Sequence, residues 1–357
     1  MKQIRLVQIG VGGVGRELVE QVLSVRQALI NRYAIQLTYV GLADSSGVLR
    51  SPTGLSDDTI RAALAHKATG GGLAGLPEGA AGQDWQSALS PDQPVILIDL
   101  SAASGQEAGL AKEITAGSRV VLANKKPLSA AWADFVALTQ HGATRYEATA
   151  GAGLPVISTL QALLDSGDTI TKIEAAMSGT LGYLCSELEA GVALSTAVRA
   201  AHRMGYTEPD PRDDLSGADV ARKALILART CGLPWEMSDI PAEPWFPAAM
   251  AEVSRSEFME RLEELDAAFT ARVAEAKAQG AALRYVATIT PEGASVGLRL
   301  VPAEHPLASL RGADNLFSFT TARYAERPLV VRGPGAGQAV TAAGVLGDIV
   351  ATAREWV

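Results

Sequence analysis

The chain has 357 residues, and its 39 Asp and Glu outnumber 31 Lys and Arg to give a net charge of −8. Such a balance argues against nucleic acid or an anionic membrane as partner, because both are bound by basic surfaces. Hydrophobic residues at 48% and charged residues at 20% describe a folded chain with a core, and its length exceeds what one core usually fills, so two domains or one domain with an inserted lobe are expected.

The chain opens on an apolar run from Ile4 that ends in Gly10-Val11-Gly12-Gly13-Val14-Gly15, followed by Arg16 to Leu23 at helical spacing. This is strand, glycine turn, helix. Gly10 permits the tight turn, Gly12 lets a pyrophosphate approach the backbone and Gly15 allows helix to pack closely on strand; the N–H groups of Gly13 and Val14 lie at the helix start, where phosphate binds. A second strand, Gln36 to Ala43, ends at Asp44, where such a fold places the residue that reads the adenosine ribose. Asp44 favours the 2′-hydroxyl of NAD, Arg50 favours the 2′-phosphate of NADP, and the choice stays open. Residues 51–82 read as loop with one short helix and carry no recognisable chemistry. Val95 to Leu100 and Val120 to Ala123 read as buried parallel strands, ending in Ser101-Ala102-Ala103 and Asn124-Lys125-Lys126-Pro127. In a doubly wound sheet ligands bind beyond the carboxyl ends of the strands, so Ser101 and Lys125 are expected at the cofactor cleft.

Beyond Tyr146 the pattern changes. Val156 to Leu164 reads as a helix, Ile170 to Met177 as a half-buried strand ending in Ser178-Gly179-Thr180, and two or three helices run to Gly232. After a charged helical stretch from Ser254 to Gly280, strands return at Arg284 to Ile289, Ser295 to Val301, Asn315 to Thr320 and Pro328 to Arg332. Gly333-Pro334-Gly335-Ala336-Gly337 then leads into an apolar helix from Gln338 to Ile349, and these glycines, Gly337 among them, are expected to bring backbone close to a ligand or to pack tightly against the first domain. The fold class is α/β: a Rossmann-type doubly wound sheet with an inserted α+β substrate and dimerisation lobe. The expected division is residues 1–145 with 335–357 for the dinucleotide, 146–157 with 283–334 for dimerisation, and 158–282 for substrate and catalysis.

The segment Glu208 to Lys223 crowds five carboxylates into a Pro-broken loop that runs into a helix. Asp219 and Lys223 stand at i,i+4 with the acid first, the favourable order. Past Lys223 the helix turns apolar, which puts the ammonium at a cleft edge.

These residues resemble a known family. Ala201 to Lys223 is similar to the homoserine dehydrogenase signature, in which A-x3-G-Y-T-E-P-D-P is followed by D-L-x-G-x-D-x3-K. Further matches are Gly10 to Gly15, Asn124-Lys125-Lys126-Pro127, Glu147 to Pro155, Ser178-Gly179-Thr180 and Gly335-Ala336-Gly337. The resemblance implies reversible NAD- or NADP-dependent interconversion of L-homoserine and L-aspartate 4-semialdehyde, on the route to threonine, methionine and isoleucine, by a homodimer. It implies Lys223 as proton donor and acceptor, with Lys125 close to the nicotinamide and substrate; either lysine alternatively only holds the substrate. Asp219 orients Lys223 or binds the substrate hydroxyl, Glu208 and Asp214 take the α-ammonium, and Gly179-Thr180 present N–H groups to the carboxylate. It also implies a monovalent cation, sodium in the usual case, held by Glu147 and the carbonyls of Ala150, Ala152 and Leu154. Many regulated members carry a C-terminal regulatory domain or an aspartate kinase fusion; neither is seen in these 357 residues, so threonine inhibition through such a domain is not expected.

Two readings compete. A thioester-forming dehydrogenase needs an activated cysteine with a histidine base, yet Cys185 and Cys231 have no neighbouring histidine and no metal-type pairing. A nucleotide-binding sensor needs no lysine pair. The two cysteines, the early first strand and the lack of a run of about 18 apolar residues point to a soluble cytoplasmic protein.

Overall fold

The computed structural model describes residues 1–90 and 93–356. The chain divides into two compact units, residues 1–153 with 337–357 and residues 154–336.

The first unit is built on a seven-stranded sheet of β1 (Lys2–Ile9), β2 (Ile35–Asp44), β3 (Gly47–Arg50), β4 (Gly79–Ala81), β5 (Ile96–Asp99), β6 (Arg119–Leu122) and β7 (Thr144–Arg145). The order is β4-β3-β2-β1-β5-β6-β7. β2, β1, β5, β6 and β7 are parallel, and β3 and β4 add an antiparallel edge. Continuous apolar strands such as Ile96-Leu97-Ile98 are buried throughout, as a parallel sheet covered on both faces requires. Helix α1 (Gly13–Tyr33) joins β1 to β2, and the chain then returns to β5 on the other side of β1. That reversal makes the ends of β1 and β5 the switch point where such sheets bind ligands.

Residues 51–82 hold more structure than their composition suggests: α2 (Asp57–Ala68), capped by the Ser56 hydroxyl accepting from the Thr59 N–H, and the short strand β4. Strand β3 hides behind the Asp44 turn, and β7 is only two residues long; neither offers enough period for a sequence pattern. α3 (Glu107–Thr115) and α4 (Trp132–Thr139) follow β5 and β6, and α5 (Ala148–Gly151) ends the segment. The last helix, Gln338–Glu355, buries Ala342, Val345, Ile349 and Ala353 in the same core as Leu6, Leu18, Val22, Leu37 and Ile98. It also receives residues 146–153: the Glu147 N–H donates to Asp348 at 2.8 Å, and a side chain on Gly344 would meet the Ala152 carbonyl. These contacts carry the first unit to Gly153, eight residues past the expected 145.

The second unit carries a five-stranded antiparallel sheet of β8 (Ile170–Ala176), β9 (Ala281–Thr290), β10 (Gly293–Pro302), β11 (Asp314–Thr321) and β12 (Leu329–Pro334), in the order β10-β9-β8-β11-β12. Its helices are α6 (Ile157–Asp165), α7 (Gly179–Glu189), α8 (Leu194–Arg203), α9 (Arg212–Leu215), α10 (Ala218–Thr230), α11 (Arg255–Arg261) and α12 (Asp266–Ala278). β8 lies in the middle of the sheet, so the strands after residue 281 complete one layer with it. Among the described residues, no helix is long and apolar enough to cross a membrane.

Candidate functional site

In the first unit, the ends of β1, β2 and β5 open onto a cleft of about 620 Å³ lined by Gly10, Gly12, Asp44, Lys67, Trp85, Ser101 and their neighbours. The glycines there have separate reasons. Gly10 sits at φ +97°, a conformation side chains rarely adopt, and a Cβ would strike the Leu100 carbonyl carbon at 2.9 Å. A Cβ on Gly15 would lie 2.2 Å from the Gly10 carbonyl oxygen, so this position lets α1 close on the turn. At Gly12, the residue that caps α1, a Cβ would meet nothing within 4 Å. Packing therefore leaves open space at Gly12, beside the helix start where free N–H groups and the positive dipole end favour an anion. Gly13 packs against the Gln338 side chain, and Gly337, at φ +123°, caps the last helix. Gly13, Val14, Gly15 and Gly337 do not line the cleft wall.

Asp44 ends β2 on that wall, with both oxygens engaged. One accepts from the Ser46 N–H, the Ser46 hydroxyl and the Gly47 N–H at 2.8, 2.6 and 3.2 Å; the other accepts from Lys67 Nζ at 2.6 Å and the Leu73 N–H at 3.0 Å. Burial alone disfavours the carboxylate, but the Lys67 ammonium and the other donors outweigh it and hold the pKa down at about 2. Arg50 is absent from the cleft lining and donates to the Ser87 carbonyl at 2.5 Å. Lys67 brings a positive charge to this wall, and sequence reasoning missed it. It lies in the last turn of α2, in a segment without a motif, and meets Asp44 only through the fold. Trp85 and Gln106, joined by a 2.7 Å hydrogen bond on the same wall, carried no signal either.

Ser101 lines the cleft at the end of β5. Lys125 follows β6, half-buried, with its carbonyl accepting from the Ser129 N–H at 3.1 Å. Glu147 is buried beside Asp348, whose pKa is pushed up to about 7 by burial, with the Glu147 N–H opposing and the Glu147 charge adding to the rise. Ala150 is buried on α5, and Ala152 has a φ of +57°. Leu154 opens the second unit, its carbonyl accepting from the Val156 N–H at 2.8 Å. Among the described residues, no three His, Cys, Asp or Glu side chains gather as a metal site. Any cation at Glu147 would therefore need main-chain carbonyls for the rest of its shell, the kind of ligand hard cations accept.

In the second unit, β8 delivers the turn Ser178-Gly179-Thr180. The Ser178 hydroxyl caps α7 by accepting from the Leu181 N–H at 3.2 Å, and helix geometry leaves the Gly179 and Thr180 N–H groups without intrahelical acceptors. The Thr180 hydroxyl lies 2.7 Å from the Tyr206 carbonyl and 3.1 Å from one Asp214 oxygen; the other accepts from the Glu208 N–H at 2.8 Å. Asp214 thus ties the α7 start to the 206–208 loop. Its pKa is raised, by burial first and then by the charges of Glu208 and Asp219 against the two hydrogen bonds. Asp210 is held by the Arg212 guanidinium, which also donates to the Ala251 and Val253 carbonyls.

Helix α10 starts at Gly217, where φ is +73° and a Cβ would meet the Tyr285 hydroxyl at 1.9 Å. That start fixes the phase of the helix. Asp219 and Lys223 share one face with 3.0 Å between Oδ2 and Nζ, and Nζ also donates to the Met177 carbonyl at 2.8 Å. The Lys223 side chain is 13% exposed and the Asp219 side chain 45%, so the lysine is held in a fixed direction beside an acid open to solvent. Burial pushes the thiols of Cys185 and Cys231 up to about 12, the opposite of an activated nucleophile.

A glycine-lined cleft at the switch point of a parallel sheet defines the dinucleotide-binding class of α/β fold. Residues 155–350 match the homoserine dehydrogenase family. The homoserine dehydrogenase of Saccharomyces cerevisiae is 36% identical over 99% of this chain and 99% of its own length. A bifunctional aspartokinase/homoserine dehydrogenase of Zea mays is 39% identical over 96% of this chain and 38% of its own length. The chain thus spans under half of that bifunctional relative. Among solved structures, a Candida auris protein of unknown function superposes with a TM-score of 0.88 at 32% identity, covering 99% of both chains. A hyperthermophilic archaeal homoserine dehydrogenase in complex with NADPH gives 0.73 at 23% identity, covering 98% of this chain and 97% of that one. The chain belongs to the homoserine dehydrogenase family.

Proposed function

We propose that the chain catalyses the reversible oxidation of L-homoserine to L-aspartate 4-semialdehyde with NADP or NAD, in the synthesis of threonine, methionine and isoleucine. The observation that carries this reading is the Asp219–Lys223 pair: an oriented ammonium, bonded to the Met177 carbonyl and one carboxylate, on a chain whose other unit holds a dinucleotide cleft. Bound NAD(P) supplies the hydride acceptor. Lys223 in its neutral form takes the hydroxyl proton of homoserine, and as ammonium returns it to the aldehyde oxygen in reverse. Lys125 provides a second positive charge where that oxygen gains negative charge. Asp219 orients Lys223. Gly179 and Thr180 offer N–H groups to the substrate carboxylate. Glu208 takes the α-ammonium, and Asp214 holds the loop that carries Glu208, since both Asp214 oxygens already accept protein donors.

The open space at Gly12 fits a pyrophosphate. With the Asp44 oxygens accepting five protein donors, Lys67 Nζ among them, the wall suits a 2′-phosphate better than a 2′-hydroxyl, so NADP is the favoured cofactor. The NADPH bound by the archaeal protein agrees with this. Sodium, held by Glu147 and the carbonyls of Ala150, Ala152 and Leu154, and a homodimer formed through the second unit's sheet complete the reading, for an enzyme of the cytoplasm. The experiment is an absorbance assay of reduced nicotinamide formed with L-homoserine, run with each cofactor and with sodium added or removed. Absence of turnover with both cofactors would reject the reading.

A further inference from the structure

The first unit buries a carboxylate that the proposed reaction does not use. Asp99, the last residue of β5, is completely buried. An acid in such a place is costly unless hydrogen bonds replace its water, and here donors arrive from two different loops. From the 100–103 loop, the Ser101 N–H and hydroxyl donate to Oδ1 at 2.9 and 2.7 Å. From the 123–127 loop, Asn124 Nδ2 donates to Oδ2 at 2.9 Å, and the Ala123 and Asn124 N–H groups donate to the Asp99 carbonyl at 2.9 and 3.1 Å.

Asn124 spreads the network. Its Nδ2 also donates to the Ala103 carbonyl at 2.9 Å, and its Oδ1 accepts from the Lys126 N–H at 3.1 Å. Lys126 Nζ closes the circuit on the Ala102 carbonyl at 2.6 Å. The two loops so joined have distinct tasks: residues 100–103 line the dinucleotide cleft, and the other carries Lys125 between Asn124 and Lys126.

We infer that Asp99 is a positioning residue for the reaction, setting the 100–103 wall of the cofactor cleft and the Lys125 loop in one fixed relation through Ser101 and Asn124. A carboxylate suits this task because it accepts from both sides at once, whereas an amide must turn a donor towards one of them. The inference rests on the proposed dehydrogenase activity, and the burial that raises the Asp99 pKa marks how much the surrounding donors must offset.

The test is Asp99→Asn in the full chain, read in three ways. The kcat for homoserine should fall about tenfold or more, because small displacements of a positioned group cost that much. The deuterium isotope effect on kcat, with homoserine deuterated at its alcohol carbon, should rise as hydride transfer becomes slower. The third reading is the melting temperature: a fall in it with kcat and isotope effect unchanged would overturn the inference. If Asp99→Asn does not fold, Ser101→Ala removes the 2.7 Å hydroxyl donor, together with the acceptor of the Ala103 N–H within the same loop, and should still raise the isotope effect; an unchanged value there counts against the inference. NADPH affinity by fluorescence titration needs no turnover. If wild-type chain binds NADPH but never oxidises homoserine, the dehydrogenase reading fails by itself, while weaker NADPH binding in Asp99→Asn would still mark Asp99 as setting the cleft wall.

Discussion

Asp44 in the first unit and Asp214 in the second are the same residue type, each expected to touch a ligand and each found bonded to its own protein. Their ionisation moves in opposite directions. Asp44 faces the Lys67 ammonium and is held at about 2, whereas Asp214 faces Glu208 and Asp219 and is raised by burial and by those charges. Burial raises both; at Asp44 the Lys67 ammonium and the other donors overcome it, whereas at Asp214 the two hydrogen bonds do not and the neighbouring charges add to the rise. The cleft of the first unit thus has a carboxylate charged at neutral pH and bonded to a cation. In the 206–219 segment, by contrast, acids crowd together, a state that an ammonium group would relieve.

The sharpest way to break this comparison is at Lys223. Lys223→Ala should lower kcat by about a thousandfold, within the range for loss of a general acid–base group, with dinucleotide affinity measured by fluorescence nearly unchanged. Lost cofactor binding would mean that the lysine serves the other site. Next come the glycines. Gly12→Ala has room for its methyl group and should keep the melting temperature while weakening dinucleotide binding about tenfold or more; Gly15→Ala, whose Cβ would sit 2.2 Å from a carbonyl oxygen, should instead cost about 1–3 kcal/mol in unfolding free energy, as overpacking does. If the two behave alike in a denaturant melt, the separation of packing from ligand space at this turn is wrong.

Lys67→Ala should weaken NADP binding about tenfold relative to NAD, the scale of one charge-assisted hydrogen bond, and equal losses for both cofactors would remove Lys67 from phosphate recognition. The same pair sets a smaller, pH-dependent effect. Because the folded pKa of Asp44 lies below its ordinary 3.8, the stability it adds is present at neutral pH and is lost as pH falls from about 4 towards 2. Asp44→Asn should therefore be less stable than the parent at neutral pH, with the difference shrinking in acid melts over that window. Smallest of all, replacing Cys185 and Cys231 by serine should leave turnover within about twofold, since thiols raised to about 12 are not nucleophiles at neutral pH.

Much of this was legible in the residue order. The glycine turn, the β5 and β6 cores and the Asp219–Lys223 spacing are local: a backbone φ, a buried run and an i,i+4 pair need only neighbours along the chain. Lys67 was not legible, because 23 residues separate it from Asp44 and a helix-end lysine looks like any solvated one. Arg50 misled for the complementary reason: it stands close to Asp44 in sequence, yet at the end of β3 it turns to the Ser87 carbonyl. The two-residue strand β7 and the short antiparallel strands β3 and β4 are too short to show a period.

The sequence by itself determined the α/β class, the strand–glycine–helix opening and which acid and lysine share a helical face, because each follows from the conformations open to a few adjacent residues. Tertiary structure alone decided which carboxylates are bonded to their own protein, which lysine reaches the cleft wall and that Asp99 joins two loops. Those outcomes depend on donors brought to one carboxylate from distant segments, and the partner of a buried charge is chosen by packing, not by position in the chain.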